Sequence, residues 1–193
     1  MNVIWRTLLQ RRLSLRRLRR EGPLSLRAVS RIQLTTLLTD LDLVWHMNNG
    51  RYLSLFDLGR FDFFIRTGIW EALSANGWST VVAHATITFR KSLRLNKKFV
   101  VETAIIAADD RAVFLENRAV VNGEIYASLI VRGRFVRMAG GVLPVSELFD
   151  AMGVRLDDFP TPEPWLQRWV SDVSLPPTKA AAPSEWGTNT VAD

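Results

Sequence analysis

At 193 residues, with 48% hydrophobic and 23% charged composition, the chain is suited to one globular domain with a full core and tails. The formal charge of +6 is unevenly placed: residues 1–31 hold nine arginines against Glu21, a net of +8, so residues 32–193 sum to −2. The absence of cysteine excludes disulfides, thiol nucleophiles and cysteine-ligated zinc, and two histidines, His46 and His84, are too few for a histidine-rich metal site.

Residues 3–20 alternate apolar side chains (Ile4, Trp5, Leu8, Leu9, Leu13, Leu15, Leu18) with arginines. This pattern is compatible with a helix but imperfectly amphipathic, because Arg11 falls near the apolar side. Residues 1–30 are therefore expected to form a solvated or partly frayed basic arm, with peripheral contact to an anionic membrane surface as its second use. Without a recognisable reading fold, nonspecific phosphate attraction is the most it supports toward nucleic acid, so no specific nucleic acid partner is expected. Arginines leave no apolar h-region for a cleavable secretory signal, and no apolar run approaches the ~18 residues of a membrane span. The expected localisation is cytoplasmic, with membrane contact only through the arm.

Arg31 to Thr39 reads as a first strand, and the loop that follows carries Asp40, Asp42, His46, Asn48 and Asn49. Asn48 supplies the side-chain acceptor that a helix start requires. From Asn49 onward Tyr52, Leu53, Phe56, Phe63 and Phe64 recur at three- and four-residue steps, Gly59 permits close approach of a sheet, and Gly68 ends the helix. A short helical piece, Trp70 to Ala75, leads to strands near 79–90, 98–108, 111–122 and 124–137, with hairpin signals at Asp109-Asp110 and Asn122-Gly123. Gly140-Gly141 breaks the last strand, and Pro144 to Met152 reads as a surface helix. Beyond Gly153 proline and small residues define a C-terminal tail, residues 154–193. In it Trp165, Leu166, Trp169 and Val170 fit one helical turn, and the chain after Lys179 is expected to be disordered.

A loop that feeds a helix N-terminus is a place for acyl chemistry. The first helical N–H groups lack partners and the macrodipole favours negative charge, so an oxyanion held there faces a carboxylate on the loop. The N–H groups in question are those around Asn49, Gly50 and Arg51. Asp40 reads as a brace of the loop backbone, whereas Asp42 either braces it too or acts as nucleophile or base. His46 either transfers protons near neutrality or holds the loop. Asn49 either assists the cap or points into the pocket, and Tyr52 is a core residue or lines the site. Arg90, Lys91 and Arg94, with Lys97 and Lys98, are either a phosphate-binding cluster or a solvated rim. Arg60 is expected to be structural, paired with Asp57, Asp62 or a buried carbonyl.

From Asp40 to Tyr52 the order D-x-D-x-x-x-H-x-N-N-x-x-Y resembles the pattern of hotdog-fold acyl-CoA and acyl-ACP thioesterases of the 4-hydroxybenzoyl-CoA thioesterase type. The likeness runs over residues 31–153, with Phe56-Asp57-Leu58-Gly59-Arg60 resembling the family's central helix and Val81 to Arg90 its second strand. It implies an α+β hotdog fold, an antiparallel sheet wrapped around one long helix. The activity it implies is thioester hydrolysis of an acyl-CoA or acyl-ACP without cofactor or metal. Asp42 would be the catalytic acid. Beside it the residues themselves offer His46, Asn49 and Gly50 as candidate catalytic groups and Asn48, Tyr52, His84, Arg90, Lys91 and Arg94 as candidate substrate contacts, with His84 either a pocket base or a satisfied core histidine. A homodimer or higher homo-oligomer with sites at its interface is also implied. The chain departs from the plant-type acyl-ACP pattern at Val44, where an asparagine is expected, and no acid occurs between Glu71 and Glu102 on the following strand, where His84 is the only group of near-neutral pKa. A non-catalytic acyl-CoA or lipid-binding protein of the same fold at membrane surfaces is the alternative.

Overall fold

The helix expected at Asn49 is α2 (Asn49–Thr67), and its ends follow the local chemistry: Asn48 Oδ1 accepts the Gly50 N–H at 2.9 Å, and Gly68 leaves the helix at φ 85°. The computed structural model describes residues 3–177 and 179–184. It divides into two compact units, residues 1–162 and 163–193.

In the first unit β1 (Ser30–Thr35), β2 (Trp78–Phe89), β3 (Lys98–Asp109), β4 (Ala112–Val121), β5 (Glu124–Arg137) and β6 (Val142–Leu143) form one sheet. The order is β1-β3-β4-β5-β2, antiparallel throughout, with β6 added on β5. Both expected hairpins form. Asp109 Oδ1 accepts the Arg111 and Ala112 amides, and Asn122 and Gly123 both take positive φ, 50° and 80°.

α2 lies against this sheet and is buried on several sides. Its first half joins Tyr52, Leu55, Phe56 and Leu58 to Phe99, Val101 and Leu129, and its second half joins Phe63 and Phe64 to Leu115, Phe135 and Phe149. Burying each such side chain contributes about 1.5–3 kcal/mol. At Gly59 a Cβ would sit 2.6 Å from Val101 Cγ1 and 2.7 Å from Thr103 Oγ1, so only a hydrogen fits between helix and sheet. This helix-and-sheet arrangement is the hotdog fold.

Three expectations need correction. The first strand ends at Thr35, because the chain turns into a 3₁₀ segment, Leu38–Asp40, in which Asp40 Oδ2 accepts the Leu37 N–H at 2.9 Å. After α3 (Ile69–Ala75), the helix read as superficial is α4 (Val145–Ala151), which sinks Val145, Leu148 and Phe149 into the core.

The largest change is at the N-terminus, where the supposed solvated arm is a nineteen-residue helix, α1 (Val3–Glu21), packed on α2 within the first unit. Its polar side faces inward. Ser14 donates to Asp62 Oδ1 at 2.6 Å, Gln10 to the same oxygen at 3.4 Å, and Arg6 reaches Asp40. Two buried acids, both at 0% exposure, thus give the helix partners distant in sequence.

In the second unit the expected helical turn is a full helix, α5 (Pro164–Val173), with proline in its first turn. The expectation of disorder after Lys179 falls partly on residues 185–193, outside the described residues.

Candidate active site

Residues 41–47 form a tight hairpin turn. Leu41 bridges Met47, Asp42 N–H donates to His46 O at 2.8 Å, and Trp45 N–H donates to Asp42 O at 3.2 Å. A three-residue turn of this kind sets its last residue in the left-handed region, normally a glycine position. Here Trp45 occupies it, at φ 61°. The turn displays Leu43, Val44 and Trp45 to solvent. Met47 N–H donates to Leu93 O and His46 bridges Arg94 through the backbone, which ties the loop to the segment after β2.

The two carboxylates differ as the sequence suggested. Asp40 is fully buried and accepts from Leu37 N–H, from Arg6 Nη1 at 3.0 and 2.7 Å, and from Arg51 Nε and Nη2 at 3.2 and 2.8 Å. Burial alone would raise its pKa, but the Leu37 amide, Arg51 and Arg6 outweigh it and hold the carboxyl below the usual aspartate value. Asp40 is therefore a brace, anchored from α1 and α2 at once. Asp42 is half-buried. Its Oδ1 accepts the Val44 and His46 amides at 3.0 and 3.2 Å, while Oδ2 has no partner among the described residues. One oxygen fixes the carboxylate and the other remains open to a ligand.

At the helix tip Asn48 is the cap. Its Oδ1 occupies the Gly50 N–H, and its carbonyl accepts the Arg51 N–H at 2.9 Å. Gly50 is thereby removed as an oxyanion donor. The Asn49 N–H, without a partner among the described residues, is the donor that remains at the positive end of α2.

A groove of about 230 Å³ gathers Asp42, His46, Asn49, Tyr52, Arg90 and Lys91, and adds Met47, Phe89 and Ser92. Tyr52 is a core residue whose ring stands edge-on to Phe89 at 5.2 Å, and burial pushes its hydroxyl pKa up against a smaller opposing effect of the Leu93 backbone. Arg90 and Lys91 each hold Glu124 at 2.7 Å, so an incoming phosphate would compete with that carboxylate.

Other expected site residues lie outside the groove lining. Asn48 serves the cap, and Arg94 meets the loop through its backbone. His84 sits on β2 beyond a bulge, opposite Arg132, and its pKa is lowered by burial first and then by Arg132 and Arg134. Arg60 pairs with Asp57 and donates to Asn117 Oδ1 at 3.0 Å.

Sequence reading missed a second cavity of about 320 Å³ between α2 and β2, where Phe61, Phe64, Trp70, Val82 and Leu115 surround the Arg60–Asp57 pair. Its walls come from five separated segments, so no local pattern announces it. Among the described residues no group of three or more His, Asp or Glu could hold a metal ion, and no helix is long and apolar enough to cross a membrane.

Residues 36–170 match the family described as the thioesterase-like superfamily. Protein THEM6 of Xenopus laevis is 40% identical over 95 residues, which cover 49% of this chain and 46% of the frog protein, so the match spans about half of that relative. Among solved structures, the probable thioesterase YbaW of Escherichia coli aligns with a TM-score of 0.60 at 18% identity, over 63% of this chain and 95% of its own. SAV2348 of Staphylococcus aureus, solved in complex with CoA, aligns at 0.57 with 14% identity, over 71% and 89%. Likeness at this level establishes the fold, and the match over residues 36–170 establishes the family: the chain belongs to the thioesterase-like superfamily.

Proposed function

We propose that the protein hydrolyses the thioester of an acyl-CoA, or of an acyl-ACP, at the groove formed by the Asp42 turn and the tip of α2. The observation that carries this reading is the half-tethered Asp42. One oxygen is fixed by two amides, the other has no partner among the described residues, and Asn49, whose N–H likewise has none among them, lines the same groove. A carboxylate so held adds to the carbonyl carbon or takes a proton from the water that does, while the Asn49 N–H stabilises the oxyanion. Collapse of the tetrahedral species breaks the C–S bond: with Asp42 as base, the proton it took from water passes to the leaving thiolate and the acid is released directly, whereas with Asp42 as nucleophile a mixed anhydride forms on it and a water then hydrolyses that anhydride, supplying the proton of the free thiol. His46, donating its amide to Asp42, positions the turn. Arg90 and Lys91 offer cations to a carrier phosphate in exchange for Glu124.

A dimer fits the same reading. β2 ends the sheet order, is twelve residues long, and exposes Val81, Val82 and Phe89 along an edge with no strand on its far side among the described residues. Such an edge calls for a partner strand, and a second copy supplies one by two-fold symmetry. Light scattering should give twice the 21.9 kDa chain mass, and a stable, active monomer would refute the dimer.

The second reading, acyl-CoA binding without turnover, is favoured by Val44 and by the lack of an acid on β2. Free-thiol release from a panel of acyl-CoAs, measured beside binding of the same compounds, separates the two. Asp42→Asn should lower release by about 10²–10⁴-fold with binding retained. Unchanged turnover in that variant would remove Asp42 from the chemistry, and binding without release in the unmodified protein would establish the second reading.

A further inference from the structure

α1 is folded with its polar side inward. Arg6, Gln10 and Ser14 are buried and Arg17 is half-buried, at steps of four, four and three residues that make one continuous stripe. Helix geometry then turns the apolar residues outward. Ile4, Trp5, Leu8 and Leu9 are 63%, 66%, 47% and 53% exposed. A helix on a water-soluble domain ordinarily does the reverse, and a cluster of large apolar side chains left in water marks a contact surface. Beyond them Arg11, Arg12, Arg16 and Arg19 are exposed and have no ion-pair partner among the described residues.

We propose that the outer face of α1 docks on an anionic lipid bilayer. Ile4, Trp5, Leu8 and Leu9 enter the boundary between headgroups and acyl chains, and the arginines meet the acidic headgroups. The helix lies along the surface rather than across it, since arginines occupy every turn of its second half. Arginine stems are long enough to lie along apolar surface while their guanidinium groups stay at phosphate level.

Charge decides the occupant. α1 carries seven arginines and one glutamate, a net of +6, equal to the charge of the whole chain. Of these, Arg6 and Arg17 turn inward to Asp40 and Asp62 and Arg20 pairs with Glu21, so a second copy docked through the outer face would set Arg11, Arg12, Arg16 and Arg19 against the same four cations. Nucleic acid would satisfy the arginines but leave four large apolar side chains unused. An anionic bilayer takes both features together.

The test uses the full chain and vesicles of phosphatidylcholine alone or mixed with phosphatidylglycerol. The protein should co-sediment with the anionic vesicles at least ten-fold more strongly than with the neutral ones, and added salt should release it. Arg12→Gln with Arg16→Gln should weaken binding about 25-fold, at roughly five-fold per cation. Leu8→Gln with Leu9→Gln should weaken it at least ten-fold. These side chains point away from α2, so both double variants should unfold at the native midpoint, and the salt titration of the unmodified protein stands independently of either. Equal binding to both vesicle types, or native binding by either double variant, overturns the proposal. A drop in oligomeric mass caused by the leucine substitutions would also overturn it, by placing a second copy on this face.

Discussion

Arg6→Ala probes the contact that joins α1 to the candidate site. The guanidinium is 6% exposed, spans both oxygens of a carboxylate at 0% exposure, and also donates to Thr35 O at 3.3 Å. Removing one member of a buried pair costs about 3–5 kcal/mol when the other is left uncompensated. Asp40 keeps Arg51 and the Leu37 amide, so the low end, about 3 kcal/mol, is expected. That is a large share of the ~5–15 kcal/mol by which domains are stable. Denaturant unfolding followed by circular dichroism measures it, with exposed Arg11→Ala as a control that should stay within about 0.5 kcal/mol. The pH dependence gives a second, signed readout. Asp40 has a folded pKa below its usual 3.8, so its ion pairs stabilise the fold above that pH and lose effect as the pH falls through the lower folded value. The gap between native protein and variant should therefore narrow in acid. A loss below about 1 kcal/mol, or a gap that widens in acid, would refute the assignment of Arg6 as the buried partner of Asp40.

Three other outcomes follow from single contacts. Gly59→Ala should cost about 1–3 kcal/mol by overpacking against Val101 and Thr103, and a gain in stability would show that those side chains yield. Trp45→Gly should stabilise the fold by about 1 kcal/mol by relieving its left-handed backbone, whereas destabilisation would mean that the exposed indole supports the turn. His84, whose pKa burial and the arginines at 132 and 134 depress from 6.5, favours the folded state above that pH, a contribution lost as the pH falls through its lower folded value. His84→Gln should flatten the decline of stability between neutral and mildly acidic pH, and an unchanged slope would contradict the sign of the shift.

Features governed by neighbouring residues were legible in the sequence. The Asn48 cap, the Gly68 helix end and the Asn122-Gly123 turn each depend on a few adjacent side chains, Gly59 marked a close approach without naming Val101 and Thr103 as what it meets, and the motif from Asp40 to Tyr52 drew attention to a loop that does gather Asp42, His46 and Asn49 around one groove. What escaped depends on distant pairs. Arg90 and Lys91 read as a phosphate cluster or a solvated rim, and neither reading included their pairing with Glu124, which lies more than thirty residues away. Gly50 looked like an oxyanion donor because nothing in the pattern says which amide the Asn48 side chain takes. α1 was misjudged for the same reason: periodicity locates a face but not its partner, and here the partners are the buried acids Asp40 and Asp62, 34 and 48 residues from Arg6 and Ser14.

Those two acids explain why α1 is turned as it is. An unpaired buried carboxylate is costly enough that it must ionise against a cation or be surrounded by donors. Asp62 receives Ser14, Gln10 and Ser30, with Arg17 at 3.6 Å, and Asp40 receives Arg6 and Arg51. The helix and the acids depend on each other, since without α1 both carboxylates lose half or more of their side-chain partners, and without the acids its polar stripe has no reason to be buried. Electrostatics rather than apolar burial sets the rotation of α1, and the 3.6-residue repeat then forces Ile4, Trp5, Leu8 and Leu9 outward. Asp40 lies two residues before Asp42, so the Arg6–Asp40 pair ties α1 to the turn that holds the candidate carboxylate.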